Sequence, residues 1–273
     1  MAELPAAPAG AIRLDGATRL HVIIGDPIAQ VKSPDGVSRA LAARGLNAVL
    51  VPIQVPPDAV AGFVRGASLA RNLDGIIVTV PHKFAAASLC DTLTDRARFL
   101  GAVNVMRRNP DGGWHGDMTD GEGHVASLRA GGCEPAGRRA LLVGSGGAGT
   151  AIALALHEAG VAELAIHDAD AARRDQLIDR LAGRGGAPVV AGSDDPAGYE
   201  LVVNATPAGM RPGDPLPVRT ERLSPDAFVS DVVTVPEVTP LLAAARARGC
   251  GTRTGTGMFE AVRDRMVAFL LAD

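Results

Sequence analysis

Apolar and polar positions alternate along this chain in blocks of two lengths. Short β-branched runs at Leu20 to Ile24, Ala48 to Ile53, Gly75 to Val80 and Ala102 to Met106 are separated by longer, helix-like stretches. This alternation predicts βαβ units and a largely parallel sheet, hence an α/β fold. The Asn109–Gly113 stretch (NPDGG) reads as a tight turn before the short segment Trp114 to Gly121, and Glu122 to Ala130 reads as a helix. The Gly/Pro-bearing connection Gly131 to Arg139 marks an approximate domain junction. A second βαβ series opens at Ala140 and runs through Glu163–Asp168, Pro188–Val190, Glu200–Ala205 and Phe228–Val233. The last helix, Met258 to Leu271, follows the glycine-rich connection Gly251–Gly257 and is expected to pack back on the first domain.

Length and charge narrow the partners. A chain of 273 residues fills two modest cores or one large one. The net charge of −3, a pI near 6.1 and the scatter of charged residues recruit neither nucleic acid nor an anionic membrane, so a small molecule is the expected ligand. Cys90, Cys133 and Cys250 are odd in number and form no C-x-x-C, which fits free thiols in a reducing cytoplasm. The opening MAELPAAPAG has no signal-peptide pattern, no run of about 18 apolar residues predicts a membrane span, and residues 1–10 read as a loose tail. The histidines lack a metal-ligand spacing such as H-E-x-x-H, so no metal is expected.

A nucleotide site is the strongest chemical signal. Ala140–Val143 has the composition of a buried strand, and Gly144-Ser145-Gly146-Gly147-Ala148-Gly149 meets G-x-G-x-x-G just before an Ala/Leu-rich helix. Gly144 permits the tight turn, Gly146 lets the backbone approach a pyrophosphate, and Gly149 allows close helix-to-strand packing. The plainer alternative is a glycine-rich connection with no ligand. Asp168 closes the next predicted strand, nineteen residues beyond Gly149. A carboxylate there accepts ribose hydroxyls and repels a 2′-phosphate, which favours NAD over NADP, while nearby Arg173 and Arg174 oppose that preference. The alternative is that Asp168 caps the following helix and Asp170 is merely solvated.

Eight segments together carry a resemblance: GDPIAQVKSP at 25–34, VTVPHK at 78–83, GAVN at 101–104, GDMTDG at 116–121, GSGGAG at 144–149, NATPAGM at 204–210, TPLL at 239–242 and GTGM at 255–258. In their order and spacing the chain resembles the shikimate dehydrogenase family from about residue 20 onward. The resemblance implies a substrate domain over residues 11–121, completed by the helix 258–273, an NAD(P)-binding Rossmann-like domain over 122–257, and a cleft between them. It implies a cytoplasmic oxidoreductase of aromatic amino acid biosynthesis, monomeric or homodimeric, which moves hydride between NAD(P) and a cyclic hydroxy acid such as shikimate or quinate. Lys83 and Asp120 match the family's proton-transfer pair, and oxidation of a secondary alcohol needs such a group to take the hydroxyl proton. Taken singly, these two residues also read as a surface lysine opening a helix and a helix-capping aspartate. Ser33, Thr79 and Asn104 match substrate contacts, and Asn204, Thr206, Gly255 and Met258 match cofactor contacts. His82, beside Lys83, reads either as a satisfied ring or as a second acid/base.

Some positions depart from the family pattern. Val31 stands where a carboxylate-binding serine is expected, Ile77 where an asparagine is, Thr234 where a tyrosine is, Val262 where a glutamine is, and Met118 interrupts GDNTDG. Lost polar groups weaken binding of a polyhydroxylated acid and favour a less polar ligand. An altered substrate preference is therefore expected, with an authentic shikimate or quinate/shikimate dehydrogenase as the first alternative. A non-catalytic dinucleotide-binding regulator is the other.

Overall fold

The computed structural model describes residues 14–272 and divides them into two compact units, one ending at Thr119 and resuming at Arg263, the other spanning Asp120–Val262. The tail at 1–10, and residues 11–13 and 273 of the expected first domain, lie outside the described residues.

In the first unit, chain order gives β1 (Arg19–Gly25), α1 (Ser33–Ala42), β2 (Ala48–Gln54), α2 (Val60–Ala67), β3 (Leu73–Val78), α3 (Lys83–Ala87), β4 (Thr92–Leu93), α4 (Asp95–Leu100), β5 (Val105–Arg108) and β6 (Trp114–Asp117). The sheet order is β2-β1-β3-β5-β6-β4. β1 runs parallel to β2 and β3, but β5 is antiparallel to both β3 and β6. The sheet is thus mixed rather than largely parallel. The NPDGG turn folds β5 and β6 into a hairpin, closed by Asn109 N–H on the Gly113 carbonyl (2.8 Å), and no helix crosses between them. Ile23, Ile24, Ile76, Ile77 and Met106 form the core of this sheet, and each such side chain stabilises the unit by roughly 1.5–3 kcal/mol when fully buried.

The second unit starts earlier than the Gly131–Arg139 connection, at α5 (Asp120–Ala130). That helix packs against α6 closely enough that a Cβ at Gly121 would stand 2.1 Å from the Ala151 carbonyl oxygen, so tertiary packing places it here. The remaining elements are β7 (Arg139–Val143), α6 (Gly147–Glu158), β8 (Glu163–His167), α7 (Ala171–Ala182), β9 (Val189–Ala191), β10 (Leu201–Asn204), β11 (Phe228–Asp231), α8 (Pro240–Ala247), β12 (Gly251–Arg253) and α9 (Gly255–Leu270). Every pairing in the sheet β12-β11-β10-β7-β8-β9 is parallel. Its central strands β7, β8 and β10 are largely buried on both faces, which explains their unbroken apolar runs. The stretch Gly251–Gly257 is not merely a connection: it supplies an edge strand and the first turn of α9, which begins three residues before Met258. The division between the units falls inside α9, whose last turn packs on the first sheet through Phe269, stacked on His115 at 5.5 Å. Among the described residues no helix is long and apolar enough to cross a membrane.

Candidate active site

The first unit gathers its polar candidates at the C-terminal end of β3. The strand leads through Thr79 and Pro81 into α3, whose first residue is the half-buried Lys83. The Lys83 carbonyl accepts from Val103 N–H (2.9 Å), and the Asn104 carbonyl accepts from Val78 N–H (2.8 Å), so the GAVN segment is fastened across this turn. Thr79 N–H bonds the Ile24 carbonyl (2.9 Å), and a Cβ on Gly25 would stand 2.5 Å from the Thr79 methyl, which brings the start of GDPIAQVKSP against Thr79. Asn104 is fully buried, with its Oδ1 accepting from Thr119 N–H (2.9 Å) and its Nδ2 donating to Thr119 Oγ1 (3.1 Å).

A buried carboxylate braces the segment that leads to Asp120. Asp117 accepts from Thr94 Oγ1 (2.5 Å), Arg96 Nε (2.7 Å) and Met118 N–H (2.8 Å). Burial alone would raise its pKa, but the Arg96 guanidinium and Thr94 hydroxyl outweigh it and hold the carboxyl below its usual range. Asp120 itself is the first residue of α5.

Other predicted residues are placed less directly. Ser33 is buried at the start of α1 and Val31 is half-buried just before it. Ile77 is buried in β3, in register with Ile23 of β1 and Val105 of β5. His82 is fully buried with Nε2 2.7 Å from the Val55 carbonyl, which makes it the satisfied ring of the two readings. Thr234 is half-buried beyond β11, and Val262 is buried on α9 against Gly123 of α5. Among the described residues no cluster of His, Cys, Asp and Glu could hold a metal.

The second unit builds the glycine turn. Gly144 has φ of 99°, which only glycine adopts without strain, and its N–H bonds the His167 carbonyl (2.7 Å). A Cβ on Gly149 would stand 2.0 Å from the Gly144 carbonyl oxygen, so α6 can lie this close to β7 only with glycine there. Gly146 is the N-cap and Gly147 and Ala148 open α6, leaving main-chain N–H groups at the helix head for an anion.

Asp168 is not the helix cap. Asp170 caps α7 by accepting from Arg173 N–H (3.1 Å), while Asp168 turns back to the glycine turn. Its Oδ2 accepts from Ser145 N–H (2.6 Å) and Ser145 Oγ (2.8 Å), and its Oδ1 from Asp170 N–H (2.8 Å) and the Arg173 guanidinium (2.7 Å). Burial opposes the charge, yet these donors, Arg173 foremost, hold the carboxyl far below its ordinary range. Ser145 as the partner of Asp168 was not apparent in the sequence, since the motif leaves that position unspecified.

Beside the turn, Asn204 ends β10 and organises the next loop. Its Oδ1 accepts from Thr206 N–H (3.0 Å) and Thr206 Oγ1 (2.6 Å), and its Nδ2 donates to the Ala208 carbonyl (3.2 Å). Thr206, Met210, Arg211 and Asp214 line a cavity of about 490 Å³ in this loop. Gly255 lies where a Cβ would stand 2.2 Å from the Val233 carbonyl oxygen. Met258 Sδ is 3.4 Å from Nδ1 of His124, a fully buried imidazole whose pKa is driven down to about 4 by desolvation.

Comparison with known proteins accounts for this arrangement. Residues 23–106 match the model of the shikimate dehydrogenase substrate binding domain. A curated shikimate dehydrogenase (NADP(+)) of Rubrobacter xylanophilus is 42% identical over 248 residues, covering 89% of this chain and 87% of its own. The chain belongs to the shikimate dehydrogenase family. It is an oxidoreductase of that type, and its two-sheet α/β fold recurs in the family's solved structures. Shikimate 5-dehydrogenase of Listeria monocytogenes, solved with shikimate and NAD, has a TM-score of 0.88 at 29% identity over 94% of this chain and 93% of that one. The ligand-free 5-ketofructose reductase of a Gluconobacter strain has a TM-score of 0.86 at 30% identity, covering 93% of both chains.

Proposed function

We propose that the protein interconverts a secondary ring alcohol and its ketone with NAD(P) as hydride partner, and that shikimate is its substrate. The observation that carries this reading is the fastening of Thr79, Lys83 and Asn104 around one strand-to-helix turn, by main-chain bonds to Ile24, Val103 and Val78 respectively, in a member of this family. Lys83 and Asp120 handle the proton. In oxidation the substrate O–H bond breaks, its proton passes to this pair, and the carbinol hydrogen leaves with its electron pair; in reduction the pair returns the proton to the new alkoxide oxygen. Ser33, Thr79 and Asn104 bind the acid and hydroxyl groups, with Val31 beside Ser33 at the start of α1.

The cofactor is NAD(P), which when bound accepts or returns the hydride. The residues present fit it: the head of α6 offers N–H groups of Gly146, Gly147 and Ala148 to a pyrophosphate, and Gly144 and Gly149 keep side chains out of the way. Asn204 and Thr206 shape the adjoining loop, and Gly255 and Met258 open α9 nearby in the same unit. Asp168 at the end of β8 favours NAD by repelling a 2′-phosphate; Arg173, lying on that carboxylate, is the cation such a phosphate would meet. The unpaired Cys90, Cys133 and Cys250 suit a cytoplasmic location.

A second reading, a preference for a less polar or differently hydroxylated ring, is favoured by Val31 and Val262, which offer no hydrogen bond where serine and glutamine were expected. A screen of shikimate, quinate and less hydroxylated cyclic acids with both cofactors, followed on the nicotinamide absorbance, separates them. Highest kcat/KM on shikimate supports the main reading, and highest kcat/KM on another ring supports the second. Absence of turnover on every acid overturns both.

A further inference from the structure

A buried polar chain links the head of α8 to the glycine turn. Asn204 and Asp231 stand opposite each other in the parallel register of β10 and β11, and both are fully buried. Asp231 Oδ1 accepts from Asn204 Nδ2 (3.1 Å) and Val233 N–H (2.9 Å), and Oδ2 from Thr239 Oγ1 (2.7 Å). Thr239 in turn caps α8 by accepting from Leu242 N–H (3.3 Å). On the other side, Asn204 Oδ1 holds Thr206, and a Cβ on Gly144 would stand 2.8 Å from the Thr206 methyl and 3.0 Å from the Ala205 carbonyl carbon. The loop after β10 is therefore packed on the first glycine of the dinucleotide turn.

Asn204 is the joint of this chain. Its amide oxygen is spent on Thr206, and its two N–H groups go to the Ala208 carbonyl and to Asp231. The amide can hold the loop in this orientation only while its Nδ2 side faces an acceptor, and Asp231 is that acceptor. A carboxylate suits the position because Asn204, Val233 and Thr239 all donate to it; an amide there would set one N–H against the Asn204 N–H or the Val233 N–H, or spend it on Thr239.

We propose that Asp231 is a positioning residue for the cofactor, acting through Asn204 and Thr206 to hold the 204–208 loop against the glycine turn. It touches no reacting group; its role is to fix the loop that lies beside the dinucleotide. The inference rests on the proposed cofactor reading of this unit.

The test is titration of NAD(P)H fluorescence against wild type, D231N, T239V and T239S, with steady-state kinetics on shikimate. D231N is expected to weaken NAD(P)H binding about tenfold and T239V about threefold. T239S, which keeps the hydroxyl, restores wild-type binding, and kcat at saturating cofactor stays within about twofold throughout. Wild-type affinity in a folded D231N overturns the proposal, as does a fall in kcat at unchanged affinity. If D231N does not fold, T239V decides, and unchanged affinity there overturns it. Failure of wild type to bind either dinucleotide overturns the cofactor reading itself, a result distinct from any difference among the variants.

Discussion

The glycine turn of the second unit and the polar cluster of the first use the backbone in opposite ways. At the turn the main chain does the work: Gly144 sits at positive φ, and Gly149 leaves 2.0 Å where any side chain would collide with a carbonyl. Hardly any other residue type satisfies those positions. Around α3, the main-chain bonds that place Thr79, Lys83 and Asn104 can be made by almost any residue. The side chains there make bonds of their own, as Asn104 does to Thr119, but the course of the backbone does not depend on them. The cofactor turn is thus bound to the architecture through residue type, whereas the cluster around α3 is placed by main-chain bonds that leave residue type open.

This contrast can be broken at both ends. The largest effect is expected of K83A, which removes a proton-transfer group without touching the turn: turnover should fall about 10²- to 10⁴-fold while NAD(P)H affinity is kept. Equal losses in both would show that the two regions are not separable in this way. G149A should act in the reverse sense, since its Cβ forces α6 away from β7. Overpacking of about 1–3 kcal/mol, if borne by the bound turn, corresponds to roughly 5- to 150-fold weaker NAD(P)H binding and a lower Tm. A G149A protein that binds dinucleotide normally would mean the turn tolerates more than its geometry allows. The smallest change is expected of V31S, which restores a hydroxyl beside α1: the ratio of kcat/KM for shikimate between V31S and wild type should be about ten, the size of one hydrogen bond to a charged group. A ratio of about one would remove Val31 from the substrate site.

Legibility follows the same division. The apolar runs gave the central strands and the turn before α6, because burial on both faces and positive φ leave marks in residue type. The two-residue β4 and three-residue β12 left none, being too short for any periodicity. The mixed first sheet was hidden because β-branched runs do not record strand direction. The placement of α5 depends on its packing against α6, which no local pattern encodes. In the site, His82 could be resolved only by its bond to Val55, twenty-seven residues away. That Asp170 and not Asp168 caps α7 turned on two carboxylates two residues apart, of which only geometry says which faces the helix.

The fourfold occupancy of Asp168 has a thermodynamic consequence. A carboxylate offers about four acceptor positions, and Ser145, Asp170 and Arg173 fill them. A ribose hydroxyl that binds there performs an exchange rather than an addition, releasing one donor for each it supplies. The heat of that step is a small difference between similar bonds, and the displaced group of least cost is Arg173, half in water already. Dinucleotide binding at this corner should therefore respond to ionic strength even when the ligand bears no phosphate there, because salt screens the Arg173–Asp168 ion pair that the neutral hydroxyl displaces.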